Sequence, residues 1–194
     1  NKAPFITIIM DNRITGMTGH QENPGTGHTL LGKESPIVKL EPLVRACGVT
    51  HVTTLPALDV DAIEKTLKEY LKLDEPAVLI VEEPCALLPE ERKKWVPLEV
   101  MADKCNGCTI CFRIGCPAIL KSDELDEKYQ RPKALIDPTL CTGCEVCAQV
   151  CPRDAILFRE AEPAEGLPPG TGSRRRGQGR IAVGLGSDRG ISSR

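Results

Sequence analysis

The sequence predicts an α/β segment that runs into a small, cysteine-rich α+β module and then into a disordered tail. Three observations predict this. Short β-branched apolar runs alternate with helical patterns over residues 1–82. Eight cysteines fall in two runs between Cys105 and Cys151. From Pro163 the composition turns to glycine and arginine. The expected divisions are residues 1–97 (α/β segment with its linker), 98–162 (cysteine module) and 163–194 (tail).

Residues 4–10, P-F-I-T-I-I-M, are almost continuously apolar and read as a buried strand of a parallel sheet. The run ends at Asp11-Asn12. Residues 13–36 hold five glycines, two prolines and two histidines without any period, so they form a long loop. Such loops in compact domains are usually functional. This one follows a buried strand, where α/β sheets bind ligands. Residues 40–47 form a short helix stopped by Gly48, and residues 51–55 a second strand. Residues 59–73 form the clearest helix. Val60, Ile63, Leu67 and Leu71 share one face, Glu64 and Lys68 pair at i,i+4, and Asp59 or Asp61 caps the start. Pro76 restarts the chain into A-V-L-I-V, residues 77–81, a third buried strand. Three strands and two helices make the C-terminal half of a doubly wound domain rather than a whole one.

Residues 84–97 are a proline-bounded linker, with residues 90–94 a solvated turn or helix face. Residues 98–102 start the cysteine module as a short strand. Residues 121–132 read as a polar surface insertion, and residues 133–137 and 155–158 as small strands. The tail has eight glycines and six arginines and reads as disordered. Its G-x-G-x-x-x-G at Gly184, Gly186 and Gly190 is not the dinucleotide fingerprint.

The two cysteine runs carry the most specific chemistry. The second, Cys141, Cys144, Cys147, Cys151 and Pro152, is the bacterial ferredoxin spacing C-x2-C-x2-C-x3-C-P. The first, Cys105, Cys108, Cys111, Cys116 and Pro117, has one extra residue before its fourth cysteine. Three cysteines two residues apart let a tight turn wrap three corners of a 4Fe–4S cube. In two-cluster ferredoxins the fourth ligand comes from the other run. The expected sets are therefore Cys105, Cys108, Cys111 with Cys151, and Cys141, Cys144, Cys147 with Cys116. Gly107 and Gly143 are expected where the chain passes close to inorganic sulfur. Paired zinc sites also use C-x2-C, but do not usually need this longer pattern twice. A disulfide framework fits any even cysteine count, but not a chain of cytosolic character without a signal peptide. Cys47 and Cys85, outside the runs, are expected to be buried free thiols.

Composition sets further bounds. The net charge is -2 and aromatics are 3%, so no nucleic-acid surface is expected. No apolar run reaches the roughly 18 residues of a membrane span, and the expected location is cytoplasmic. The chain starts at Asn1 and enters an apolar strand directly, which reads as a fragment cut within a domain.

The stretch D-N-R-I-T-G-M-T-G-H-Q, from Asp11 to Gln21, follows a strand and precedes a double ferredoxin module. It resembles the alpha subunit of the indolepyruvate ferredoxin oxidoreductase family over roughly residues 1–162. The resemblance implies the C-terminal half of a thiamine-diphosphate-binding parallel-sheet domain, followed by a bacterial-type ferredoxin domain with two 4Fe–4S clusters. It implies Mg²⁺ bridging the diphosphate, with ligands from the Asn12 side chain and the Ile14 carbonyl. Thr15, Gly16, Met17, Thr18 and Gly19 would wrap the cofactor, followed by His20 and Gln21. His20 is a candidate for catalysis, whose acid–base group is otherwise unknown. The family's upstream Gly-Asp-Gly is not in these residues, so the fragment alone is expected to be inactive. The implied reaction oxidises an aryl 2-oxoacid to an acyl-coenzyme A and passes electrons to an external ferredoxin, with a beta subunit as partner. Alternatives are a stand-alone two-cluster electron carrier and a pyruvate-type 2-oxoacid oxidoreductase.

Overall fold

Three parallel strands, β1 (Ile6–Asp11), β2 (His51–Pro56) and β3 (Ala77–Glu82), form a sheet in the order β1-β3-β2. The computed structural model describes residues 3–159. β3 is central because it alone is apolar at five consecutive positions, all buried. Its period-two alternation splits the core. Ala77, Leu79 and Val81 face one layer with Ile63, Leu67 and Tyr70, while Val78 and Ile80 face the other with Leu40 and Val44. Leu79 and Ile80 are fully buried.

The strands are level. Asp11, Pro56 and Glu82 stand in register at the carboxyl edge. β1 departs from the expected buried strand. It is the sheet edge, and Ile8 and Met10 are exposed, Met10 at 82%. Ile6 and Ile9 still pack against the two core clusters, but among the described residues β1 has a partner strand on one side only.

α1 (Leu40–Ala46) and α2 (Val60–Tyr70) flank the sheet. α2 is capped by Asp59, whose side chain accepts from the Ala62 N–H. Glu64 and Lys68 form the expected pair. The apolar face differs at its end. Tyr70 is buried and its hydroxyl lies 2.6 Å from Thr53 Oγ1, whereas Leu71 is 75% exposed. The helix stops at Tyr70, so the next position turns to solvent. α1 buries no residue and is fastened by Arg45, which reaches Glu41 and the carbonyls of Thr50 and Val52. Gly48 ends it at φ +87°.

The linker contains one helical turn, α3 (Pro89–Arg92). In the cysteine module β4 (Leu98–Val100) pairs antiparallel with β7 (Ile156–Phe158). The stretch read as a polar insertion is largely a hairpin. β5 (Ile119–Leu125) pairs with β6 (Pro132–Ile136), leaving only residues 126–131 as its tip. The charged residues of β5 lie on its exposed positions, which hid the strand from an apolar-run reading. A 3-10 turn (Cys111–Ile114) and α4 (Val146–Gln149) sit within the two runs. The expected disordered tail lies outside the described residues. Among those described, no helix is long and apolar enough to cross a membrane.

Candidate cofactor cleft and cluster cages

The loop after β1 begins with two side-chain turns. Asp11 Oδ1 accepts from the Arg13 N–H at 2.9 Å, and Asn12 Oδ1 from the Ile14 N–H at 3.3 Å. Arg13 sits at φ +60° between them and pairs with Glu82 at the end of β3. The Ile14 side chain is buried and anchors the turn. The Asn12 carbonyl accepts from the Cys85 N–H, tying the loop to the segment after β3. Thr15 and Gln21 then exchange both backbone hydrogen bonds and pinch off the short loop between them. Within it Met17 is fully exposed, Thr18 Oγ1 donates to Gln21 Oε1, and Gly19 takes φ +106°.

These residues suit the group that the resemblance implies. Asn12 Oδ1 accepts one N–H and keeps a second lone pair, an oxygen donor of the kind a hard cation takes. Gly16 leaves room for a close approach, since a Cβ there would lie 3.4 Å from Asn12 Nδ2. His20 Nε2 lies 3.8 Å from Cys85 Sγ. Neither outlying cysteine is a buried thiol. Cys47 is exposed at the end of α1, and Cys85 is half-buried. Arg13 and Glu82 did not stand out in the sequence, because their meeting depends on the register of β1 with β3.

The cysteines gather in two groups drawn from both runs. Burial pushes the Cys111 thiol up, with further contributions from Cys108, Cys105 and Cys151. Burial pushes Cys147 up to about 12, and Cys144, Cys141 and Cys116 add to it. The fourth member of each group thus comes from the opposite run. Backbone N–H groups of Ala134, Leu98 and Ala155 point at the sulfurs of Cys105, Cys141 and Cys151, at 3.4–3.5 Å. Such donors favour the anionic form of a thiolate. The first group lines a small, largely apolar cavity with Phe112, Ile156 and Asn106, whose Oδ1 is buried without a partner. Among the described residues no three His, Cys, Asp or Glu side chains form a group able to hold a metal ion. Four thiols drawn together around an apolar cavity are the donor set that a 4Fe–4S cluster takes.

Gly107 and Gly143 are both required by the fold of the chain itself. Both have positive φ, +64° and +75°. A Cβ on Gly107 would meet the Arg131 backbone oxygen at 2.9 Å, and one on Gly143 would meet the Val96 oxygen at 2.4 Å. The close neighbour is backbone. Thr109 and Glu145 repeat the left-handed geometry two residues later, so the two runs turn alike.

A cleft opens at the carboxyl edge of the sheet. Asp11, Asn12 and Cys85 line one side of it, and Thr142, Gly143 and Cys144 of the second run line the other.

Residues 1–81 match the family described as thiamine pyrophosphate enzyme, C-terminal TPP binding domain. Residues 134–157 match the 4Fe-4S binding domain. Indolepyruvate oxidoreductase subunit IorA of Thermococcus kodakarensis is 39% identical over 164 residues, 80% of this chain and 24% of that one. The IorA of Pyrococcus horikoshii is 38% identical over 169 residues, 84% of this chain and 25% of that one. The chain belongs to the IorA family. It spans about a quarter of the length of these relatives. Ferredoxin-3 of Nostoc sp. is 32% identical over 83 residues, 35% of this chain and 86% of that protein. The IorA family resemblance therefore extends over both the sheet and the cysteine module.

Proposed function

We propose that this chain is part of a thiamine-diphosphate-dependent 2-oxoacid oxidoreductase acting on indolepyruvate or a related aryl pyruvate. One observation carries the reading: Asn12 of the cofactor loop and Cys144 of a cluster cage line the same cleft. The balanced reaction takes a 2-oxoacid anion and coenzyme A to an acyl-coenzyme A, CO2, one proton and two electrons. The two electrons released pass singly to an external ferredoxin. Bound thiamine diphosphate supplies a nucleophilic carbon for the 2-oxo group, and 4Fe–4S clusters supply one-electron acceptors.

The chain's own residues bind and orient. Asn12 and the Ile14 carbonyl contribute to the Mg²⁺ site, and Thr15, Gly16, Met17, Thr18 and Gly19 wrap the cofactor. Residues 1–97 form the end of the cofactor domain with its linker, and residues 98–162 the two-cluster module. Cys105, Cys108, Cys111 and Cys151 hold one cluster. Cys141, Cys144, Cys147 and Cys116 hold the other. The working assembly includes a beta subunit and operates in the cytoplasm.

The test uses the full-length, two-subunit enzyme prepared without oxygen. It should contain about eight iron and eight sulfide for these cages. Indolepyruvate should bleach the visible cluster absorption only when thiamine diphosphate, Mg²⁺ and coenzyme A are present. Clusters that stay oxidised under those conditions would reduce the chain to an electron carrier. Cys116→Ser should alter the electron paramagnetic resonance signal of the second-run cluster. A change confined to the first-run cluster would sink the crossed ligand sets.

A further inference from the structure

Gln149 sits on α4, between Cys147 of one cage and Cys151 of the other. Its side chain nevertheless leaves the cysteine module. Oε1 accepts from the Val60 N–H at 3.0 Å, and Nε2 donates to the Leu58 carbonyl at 2.8 Å. Both partners lie about ninety positions earlier, at the corner between β2 and α2. Val60 is the first residue of α2, so its N–H has no partner within the helix. The amide matches this corner with one acceptor and one donor, a fit that neither a carboxylate nor an apolar side chain reproduces.

The place of this clasp gives it meaning. Leu58 and Ala57 line the same cleft as Asn12. Cys144 and Thr142, in the same run as Gln149, line it too. The clasp therefore fixes the second cysteine run against the wall of the cleft. We propose that Gln149 is a positioning residue. It holds the Cys141, Cys144, Cys147 cage facing the cofactor loop and sets how readily electrons pass from the cleft into that cage. This rests on the reading of the cleft given under Proposed function. Gln149 touches neither substrate nor iron in this role, and acts through the cage it holds.

The experiment compares Gln149→Leu and Gln149→Glu with the unaltered protein in the full-length two-subunit enzyme. Leucine removes both hydrogen bonds at similar volume. Glutamate keeps an acceptor for Val60 and loses the donor to Leu58. With Gln149→Leu, cluster bleaching on mixing with indolepyruvate should slow by about tenfold, as small misplacements of reacting groups do. KM, iron content and both cluster midpoint potentials should be unchanged. Gln149→Glu should fall between the two. Hydrogen exchange at the Val60 amide should quicken with leucine and recover with glutamate, and this arm needs no substrate.

Bleaching at the original rate in Gln149→Leu would overturn the proposal. So would slowing accompanied by lost iron or shifted potentials, which would mark a residue that merely builds the cage. If the unaltered enzyme does not bleach with any 2-oxoacid, the functional reading fails. The exchange arm then still decides the clasp: unchanged Val60 exchange in the leucine variant refutes it, and faster exchange upholds it.

Discussion

In the α/β layer, β3 buries five consecutive residues between two parallel neighbours and beneath two helices. In the cysteine module no strand buries more than two residues, and Cys141 and Cys147 complete the core around them. One region has an interior of hydrocarbon. The other has an interior that is partly sulfur, and four of its thiols line one cavity. A small module with so little apolar burial leans on whatever its cysteines hold, whereas the sheet carries its own stabilisation.

The largest expected consequence concerns iron. Stripping it should release the module by an amount on the order of 10 kcal/mol, the scale of small metal-organised domains. Amide exchange should become fast at residues 119–136 while residues 77–82 stay protected. Equal loss of protection in both places would abolish the contrast drawn here.

Next is Ile80→Ala. The side chain is fully buried in the central strand, and truncation should cost about 2–5 kcal/mol in urea unfolding. Iron content should be unaffected. Loss of iron together with stability would show that the two interiors are coupled.

Gly143→Ala sharpens the comparison at a single methyl group, with Gly48→Ala as its control. Both glycines have positive φ, but nothing lies within 4 Å of a Cβ on Gly48. Gly48→Ala should cost about 1–2 kcal/mol from the left-handed backbone alone. Gly143→Ala should cost more, because its methyl meets the Val96 oxygen at 2.4 Å, and it should lower the iron bound. Equal costs by urea titration would remove the backbone contact from the argument.

The smallest effect is on pH. Free thiols titrate near 8.5 in an unfolded chain. Burial, aided by Cys144, Cys141 and Cys116, pushes Cys147 up to about 12 in the folded one. The folded state thus favours the neutral thiol. Its contribution is complete below about pH 8.5 and is lost as pH rises toward 12, by less than about 1 kcal/mol at pH 9. Iron-free protein should therefore unfold more easily at pH 9 than at pH 7. The Cys147→Ala variant should show a smaller difference, the remainder coming from Cys111, whose thiol burial also pushes up, and an undiminished slope would locate the effect elsewhere.

Much of this was legible in the chain. The apolar run of β3, the Asp59 cap and the Gly48 stop are local signals, and each element formed within a few residues of its expected place. The spacing of the two runs also led to the pairing of Cys151 with the first run, and these four thiols line one cavity. Burial of β1 did not, because an edge and a centre have similar apolar runs, and strand order is a long-range property. β5 was missed because Lys121, Asp123 and Glu124 masked a hairpin strand. Gln149 was invisible, since one amide in C-A-Q-V-C-P says nothing about a corner ninety positions away. Gly107 and Gly143 were recognised as necessary, but their close neighbours could not be read from spacing.

The interleaving of the thiols has a consequence for how the chain emerges during synthesis. Cys151 lies with the first run and Cys116 with the second. A growing chain therefore holds no full set of four until Cys147 has left the ribosome, and the other set is complete only four residues later. On the proposed ligand sets, delivery of iron and sulfide is thereby deferred to the very end of the module. Both cages become fillable almost at once, after the strands that frame them, other than β7, have already been made.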